Sequence, residues 1–472
     1  MRILGTGIDY STGEVLIDSI DEETFGQTIE ASLARHADQV RSTARMRARG
    51  AAVRGEVERE RTVDLGDPRA AGWTFLVNRD DPRRADLEKA LGPLAEHRGM
   101  SQPSPLVFNG EAEEEWLDWM QEHYLQLELD GKRAPHYILI AGGPDHVPFH
   151  FQTLLDSGAS VGRVDFDTIK DLETYVEKVL RYERATDPTA TREALFYATD
   201  GGPGDATHFS RRFMADPLAK HVSKTRRFPT RAVIAEEATK ERFLDEARQR
   251  KPALVYTATH GMAAPKERLE TQKRVNGGIC CGHDTGDATA DWLITAEDVD
   301  SEQPFLEGSV VFQFACFGYG TPAESDFRHW LGGAGLNSSA SFVAALPKNL
   351  LSHPRGPIAF IGHVDTAWLH GFDDPESPYQ NNLWNTRIAP YKKAIEVLLG
   401  CQPVALAMTD LNKRFDYANA QLTLVFDKMV RSKLKLTPAQ RKQLANSFIF
   451  RSDAQNYLVF GDPAARLRIP AA

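Results

Sequence analysis

Two residues in this chain join a reactive side chain to a place where it can be used. His260 closes the apolar run LVYTATHG, and Cys316 closes the apolar run VVFQFAC. A thiolate attacks carbonyl carbon well, and a nearby imidazole can generate it and then protonate a leaving amine. Backbone amides can hold the developing oxyanion. Gly261 follows His260, and Phe-Gly-Tyr-Gly follows Cys316, so a ligand's backbone could come close at both strand ends. Each residue also has a plain alternative. A cysteine ending an apolar strand commonly packs as a small hydrophobe, and a strand-end histidine commonly serves as a hydrogen-bonded structural residue. The residues alone leave both readings open.

Other motifs carry less chemistry. Cys280-Cys281-Gly282-His283 has neither tetrahedral ligand spacing nor a second cysteine pair. Asp284, Asp287 and Asp291 miss the EF-hand pattern. GTGIDYSTG at 5–13 is not a dinucleotide fingerprint, since it lacks the third glycine and opens no helix inside a βαβ unit. The expectation is therefore no metal and no cofactor.

Strands and helices must carry the two residues to one place. From about Gly72 buried-strand runs alternate with amphipathic helices: WTFLV, PLVF, HYILIAGG and GRVDF, then ALFYATD, RAVIA, ALVYTATHG, SVVFQFAC and PIAFIGH. Such alternation implies right-handed crossovers and a mostly parallel sheet flanked by helices, an α/β fold that binds ligands at the carboxyl ends of its strands. Three segments are expected: an extension at 1–71 with an arginine-dense arm at 34–62, an α/β subdomain at 72–190, and a catalytic subdomain at 191–472. Residues 262–308 read as a long loop on the sheet's rim, and the chain after 363 as mostly helical before NYLVFGDP.

The 472 residues are 42% hydrophobic and 26% charged, which excludes a disordered or fibrous chain. A net charge of −10 argues against nucleic acid as a partner. Four cysteines form no disulfide framework. The first residues lack the basic start and apolar run of a signal peptide, and no stretch reaches the roughly 20 apolar residues of a membrane helix. The expectation is a soluble, cytoplasmic protein without a membrane partner.

His260 precedes Cys316 by 56 residues, the order and approximate spacing found in caspases. The stretch HYILIAGGPDHVPFHF…VGRVDFDTIKDLETYVEKVLRYER resembles the gingipains, caspase-fold cysteine peptidases. ALFYATDGGP, ALVYTATHG, VVFQFAC, GPIAFIGHVDTAW and YLVFGDPAARL resemble later gingipain segments in the same order over about 72–469. The resemblance implies a caspase-like fold, Cys316 as nucleophile and His260 as general acid/base, with the amides of Gly261 and Cys316 as oxyanion donors. Asp200 stands where gingipains carry the acid that orients the histidine, and Trp368 where a tryptophan walls the substrate pocket.

The expected function is a cysteine endopeptidase acting on protein substrates. The alternatives are a non-catalytic partner-binding module of the same fold and a small-molecule hydrolase or acyltransferase. For the residue before the scissile bond the charges conflict. Asp365, with Asp205 nearby, would suit Arg or Lys, whereas Arg211 beside Arg212 would suit Asp or Glu. Buried charges are screened less than exposed ones, so Asp365 carries the expectation towards a basic residue. The arm at 34–62 and the insertion at 262–308 suggest activation by an upstream protease, in a stress or defence cascade.

Overall fold

A computed structural model describes residues 2–32, 63–100, 105–129, 134–225, 227–264, 268–282, 292–327, 338–369, 380–432 and 435–471. The strands are β1 (Gly7–Asp9), β2 (Trp73–Asn78), β3 (Leu106–Phe108), β4 (Tyr137–Ala141), β5 (Ser160–Val164) and β6 (Thr191–Ala198). There follow β7 (Thr230–Ile234), β8 (Pro252–Ala258), β9 (Gly261–Ala263), β10 (Val310–Phe314), β11 (Ala359–His363) and β12 (Tyr457–Phe460). Among the described residues ten of these form one sheet in the order β3-β2-β4-β5-β12-β11-β10-β8-β6-β7. β2, β4, β8 and β10 are buried along their whole length. That is why their sequences are continuous apolar runs without alternation.

The sheet has a direction change at its middle. β12 runs parallel to β5 and antiparallel to β11, while the other pairings are parallel. Five strands therefore point one way and five the other. The carboxyl ends of β6, β8, β10 and β11 share one edge, opposite the edge where β2–β5 end. The expected mostly parallel α/β architecture is present, and strands from 72–190 and from 191–472 join in a single sheet through β12.

Helices cover both faces. Among them α1 (Arg84–His97) packs on α2 (Ile169–Arg184), and α3 (Lys240–Gln249) follows β7. Thr168 caps α2 in a reciprocal box with Asp171, satisfying donors that the first turn leaves open. After β11 come α4 (Gln380–Leu399), α5 (Thr409–Ser432) and α6 (Pro438–Gln455), the helical region expected there.

Two expectations need correction. Residues 262–308 are not simply a loop: they hold the rest of β9, a helix at Leu269–Val275 and a small hairpin pairing Ile279–Cys280 with Leu293–Ile294. Residues 1–71 are not an appended extension either, because β1 pairs in parallel with β9 beside the strand ends that matter most. The arginine-dense arm at 34–62 lies outside the described residues.

Candidate active site

Registration of the sheet brings the reactive residues together. Ala258 of β8 stands opposite Phe314 of β10 and opposite Ala198 of β6, so His260, Cys316 and Asp200 each lie two residues past a level row. Phe312 pairs with Ile361, and the Phe317 N–H donates to the Asp365 carbonyl at 3.1 Å, which sets 365–368 beside Cys316. The backbones meet closely here. A Cβ on Gly261 would overlap the Cys316 carbonyl oxygen, so the residue after His260 has to be glycine. Phe317 turns the chain away with φ +56°, a left-handed conformation costly for a bulky side chain.

Both nitrogens of His260 are engaged. Nε2 lies 2.9 and 3.0 Å from the Asp205 carboxylate oxygens, and Nδ1 lies 2.9 Å from the Thr6 carbonyl oxygen. Both partners are hydrogen-bond acceptors, so the ring is held at both nitrogens. Burial works against the Asp205 charge, yet its hydrogen bonds to His260 and Thr207 hold the carboxyl well below the usual range. Asp205 owes its position to helix capping: it accepts from the Thr207 N–H at 2.7 Å at the start of the Ala206–Ser210 turn.

Cys316 is fully buried. Its Sγ lies 3.1 Å from Thr6 Oγ1 and accepts from the Ala367 N–H at 3.2 Å. Burial pushes the thiol up to about 12, with the contacts to Thr6 and Ala367 only partly opposing it. The Gly261 N–H, an expected oxyanion donor, donates to the Thr6 carbonyl at 2.8 Å. Thr6 thus stands between thiol and imidazole and touches both.

The remaining candidates are placed as follows. Asp200 does not orient His260: its carboxylate accepts from the Gly202 N–H and pairs with His208 and Arg211, so the carboxylate at the imidazole is Asp205. Asp205, expected at the substrate pocket, lies against the imidazole. Arg211 lies in a π-helical turn and is tied to Asp200 and Asp216 at 2.6 and 2.9 Å, an arrangement unlike an open site for an acidic side chain.

Asp365 is 2% exposed, and its oxygens accept from Ser325 Oγ and the Asp326 and Thr366 amides. Burial, and then the charge of Asp326, push it up to about 7. These bonds fix the carboxyl beside the wall formed by 366–368. Trp368 is fully buried against Phe25 and Phe327, and its backbone bridges to Gly5. Cys280 and Cys281 are buried free thiols, while His283, Asp284, Asp287 and Asp291 lie outside the described residues. No helix among the described residues is long and apolar enough to cross a membrane.

Thr6 is the site residue that motif and spacing do not single out, because GTGIDYSTG matches no functional fingerprint. Its usable signal was a small residue between two glycines, a segment able to lie flat against another backbone.

The chain is similar to the complex of Porphyromonas gingivalis RgpB pro- and mature domains at 13% identity and TM-score 0.44, over 84% of this chain and 80% of that one. It is similar to the Arg-specific cysteine proteinase gingipain R (RgpB) at 14% identity and TM-score 0.44, over 84% and 78%. A structure described as a protease aligns at 11% identity and TM-score 0.47, over 84% and 78%. No curated protein matches. The model of Peptidase family C25 matches residues 108–468, a span holding β4–β12, His260 and Cys316. The chain belongs to peptidase family C25, the gingipain family of cysteine peptidases.

Proposed function

We propose that the protein is an endopeptidase in which Cys316 is the nucleophile and His260 the proton carrier. One observation supports this above the others: a single peptide carbonyl, that of Thr6, accepts from both Gly261 N–H and His260 Nδ1 while the same residue touches Cys316 Sγ. A substrate carbonyl lying there would meet the thiol, a proton donor and an oxyanion donor together.

The thiol sulfur, having passed its proton to His260, adds to the carbonyl carbon. The resulting oxyanion is held by the Gly261 N–H and by the Cys316 N–H. His260 gives the proton to the amine as the C–N bond breaks, leaving a thioester, and water then hydrolyses the thioester with His260 as base. Asp205 fixes the ring through both carboxylate oxygens. Cys316→Ala and His260→Ala should each abolish peptide hydrolysis while leaving the melting temperature close to wild type. Full activity in Cys316→Ala protein would remove the assignment.

The substrates are proteins, and we propose that cleavage follows Arg or Lys. Support comes from Asp365, a buried carboxyl beside the wall at 366–368, where a charge is little screened and a cation brought to that wall would stabilise it. A fluorogenic peptide library varied only at the residue before the scissile bond checks this. A preference for Asp, lost in Arg211→Ala but kept in Asp365→Ala, would reverse the assignment.

A further inference from the structure

Residues Leu4–Asp9 cross the strand ends that carry Cys316 and His260. On one side they pair antiparallel with the wall: the Thr6 N–H donates to the Ala367 carbonyl at 3.1 Å, and the Leu369 N–H donates to the Leu4 carbonyl at 3.1 Å. On the other side β1 pairs in parallel with β9, Gly7 with Gly261 through Asp9 with Ala263. Thr6 is fully buried in the middle. A Cβ on Gly7 would stand 3.4 Å from Cys316 Sγ, so the segment closes over the thiol.

This one segment occupies three groups that the proposed chemistry needs: the thiol, the imidazole Nδ1 and the Gly261 amide. It also lies as a substrate would, extended, with one carbonyl at the oxyanion donor and main-chain hydrogen bonds to the wall. We propose that residues 4–9 form a built-in pseudosubstrate strap that blocks the active site, and that activity requires the strap to leave. The proposal rests on the assignment of Cys316 and His260 made above.

Two features keep the strap from being consumed. Its hydroxyl stands against the thiol, with Thr6 Oγ1 3.1 Å from Cys316 Sγ. Both of its ends are also held. Arg2–Ile3 pairs with Ile20–Asp21 and Ile3 is buried in the core. Beyond Thr6 the chain folds back as a hairpin, with Leu16 N–H donating to the Gly7 carbonyl at 2.9 Å and Asp9 N–H to the Glu14 carbonyl at 2.8 Å. A leaving amine tethered in this way stays beside the site and favours religation over departure. The thiol beneath is in its neutral form at pH 7, since burial pushes it up to about 12.

Seating of the strap can be read in the full chain. Thr6→Cys places a second sulfur against Cys316, and mild oxidation should give a 6–316 disulfide, identified by peptide mapping and reversed by reductant. Thr6→Pro removes the N–H that donates to Ala367. It should raise the rate of Cys316 alkylation by iodoacetamide about tenfold or more, with hydrolysis of a fluorogenic peptide rising in parallel.

A synthetic peptide of residues 1–10 should inhibit the Thr6→Pro protein competitively. Absence of the 6–316 disulfide, together with equal alkylation rates in wild type and Thr6→Pro, would overturn the strap. It would leave the dyad standing if wild type cleaves peptides at full rate. A disulfide and faster alkylation without any peptide cleavage would support the strap and overturn the endopeptidase assignment.

Discussion

At His260 the two ring nitrogens face a carboxylate and a peptide carbonyl, those of Asp205 and Thr6. Asp205 and Asp200 share one loop, yet their surroundings give them different tasks. Asp200 binds the loop to itself through Gly202, His208 and Arg211, whereas Asp205 meets the imidazole directly. Removing the Asp205 charge withdraws support from the protonated ring that the leaving amine requires. Asp205→Asn should therefore lower kcat by about tenfold to a hundredfold with KM little changed. Asp200→Asn should cost at most about a few-fold, through loosening of the loop. Steady-state kinetics of the two variants in the Thr6→Pro background checks the difference, and the reverse order of effects would restore Asp200 as the orienting acid.

The elements act by bringing backbones within contact. β8 and β10 are adjacent and parallel, so their continuations at 259–261 and 315–317 meet, and Gly261 lies flat against Cys316. Any side chain there must force the two strand ends apart. In the Thr6→Pro background Gly261→Ala should lower kcat/KM by about a hundredfold or more, because it displaces the proposed nucleophile and the proposed oxyanion donor together. Overpacking of this kind costs about 1–3 kcal/mol, so a modest fall in melting temperature should accompany the loss. Unchanged kinetics in Gly261→Ala would mean that this contact does not set the site.

For the molecule as a whole the join between the two half-sheets depends on the last strand. β12 sits between β5 and β11, and Asp462 just beyond it ties the carboxyl-terminal segment to the first α/β layers. Asp462 accepts from Trp73 Nε1 at 2.9 Å and from Arg98 Nε at 2.8 Å, and Arg98 also donates to Glu183 at 2.6 and 2.7 Å. Arg98 is 4% exposed. Arg98→Met would leave two buried carboxylates without their cation and should destabilise the fold by about 3–5 kcal/mol in urea unfolding.

Glu183 adds a pH dependence to the same network. Burial opposes its charge, but His97 and Arg98 outweigh burial and hold it down at about 2, against an ordinary 4.5. Its contribution is fully present above pH 4.5 and is lost as pH falls towards 2, on the order of 3 kcal/mol. Glu183→Gln should flatten acid unfolding in that window, and an unchanged acid limb would show that the network does not control it.

The apolar runs by themselves determined the α/β class, since only strands buried on both faces need WTFLV, YILIA and VVFQF without alternation. The glycine-flanked His260 and Cys316 were legible for a similar reason: residue type and strand-end position are local properties. What pairs with what is not local. The reversal between β11 and β12 joins segments nearly a hundred residues apart, and no periodicity encodes it. Asp205 rather than Asp200 meets His260 because a capped turn carries it back over the strand end, although register puts Asp200 level with the ring. Thr6 enters the site from 254 and 310 residues away. Only the tertiary fold decided that, because a short strand gains its hydrogen bonds from whichever exposed backbone edges the folded chain offers.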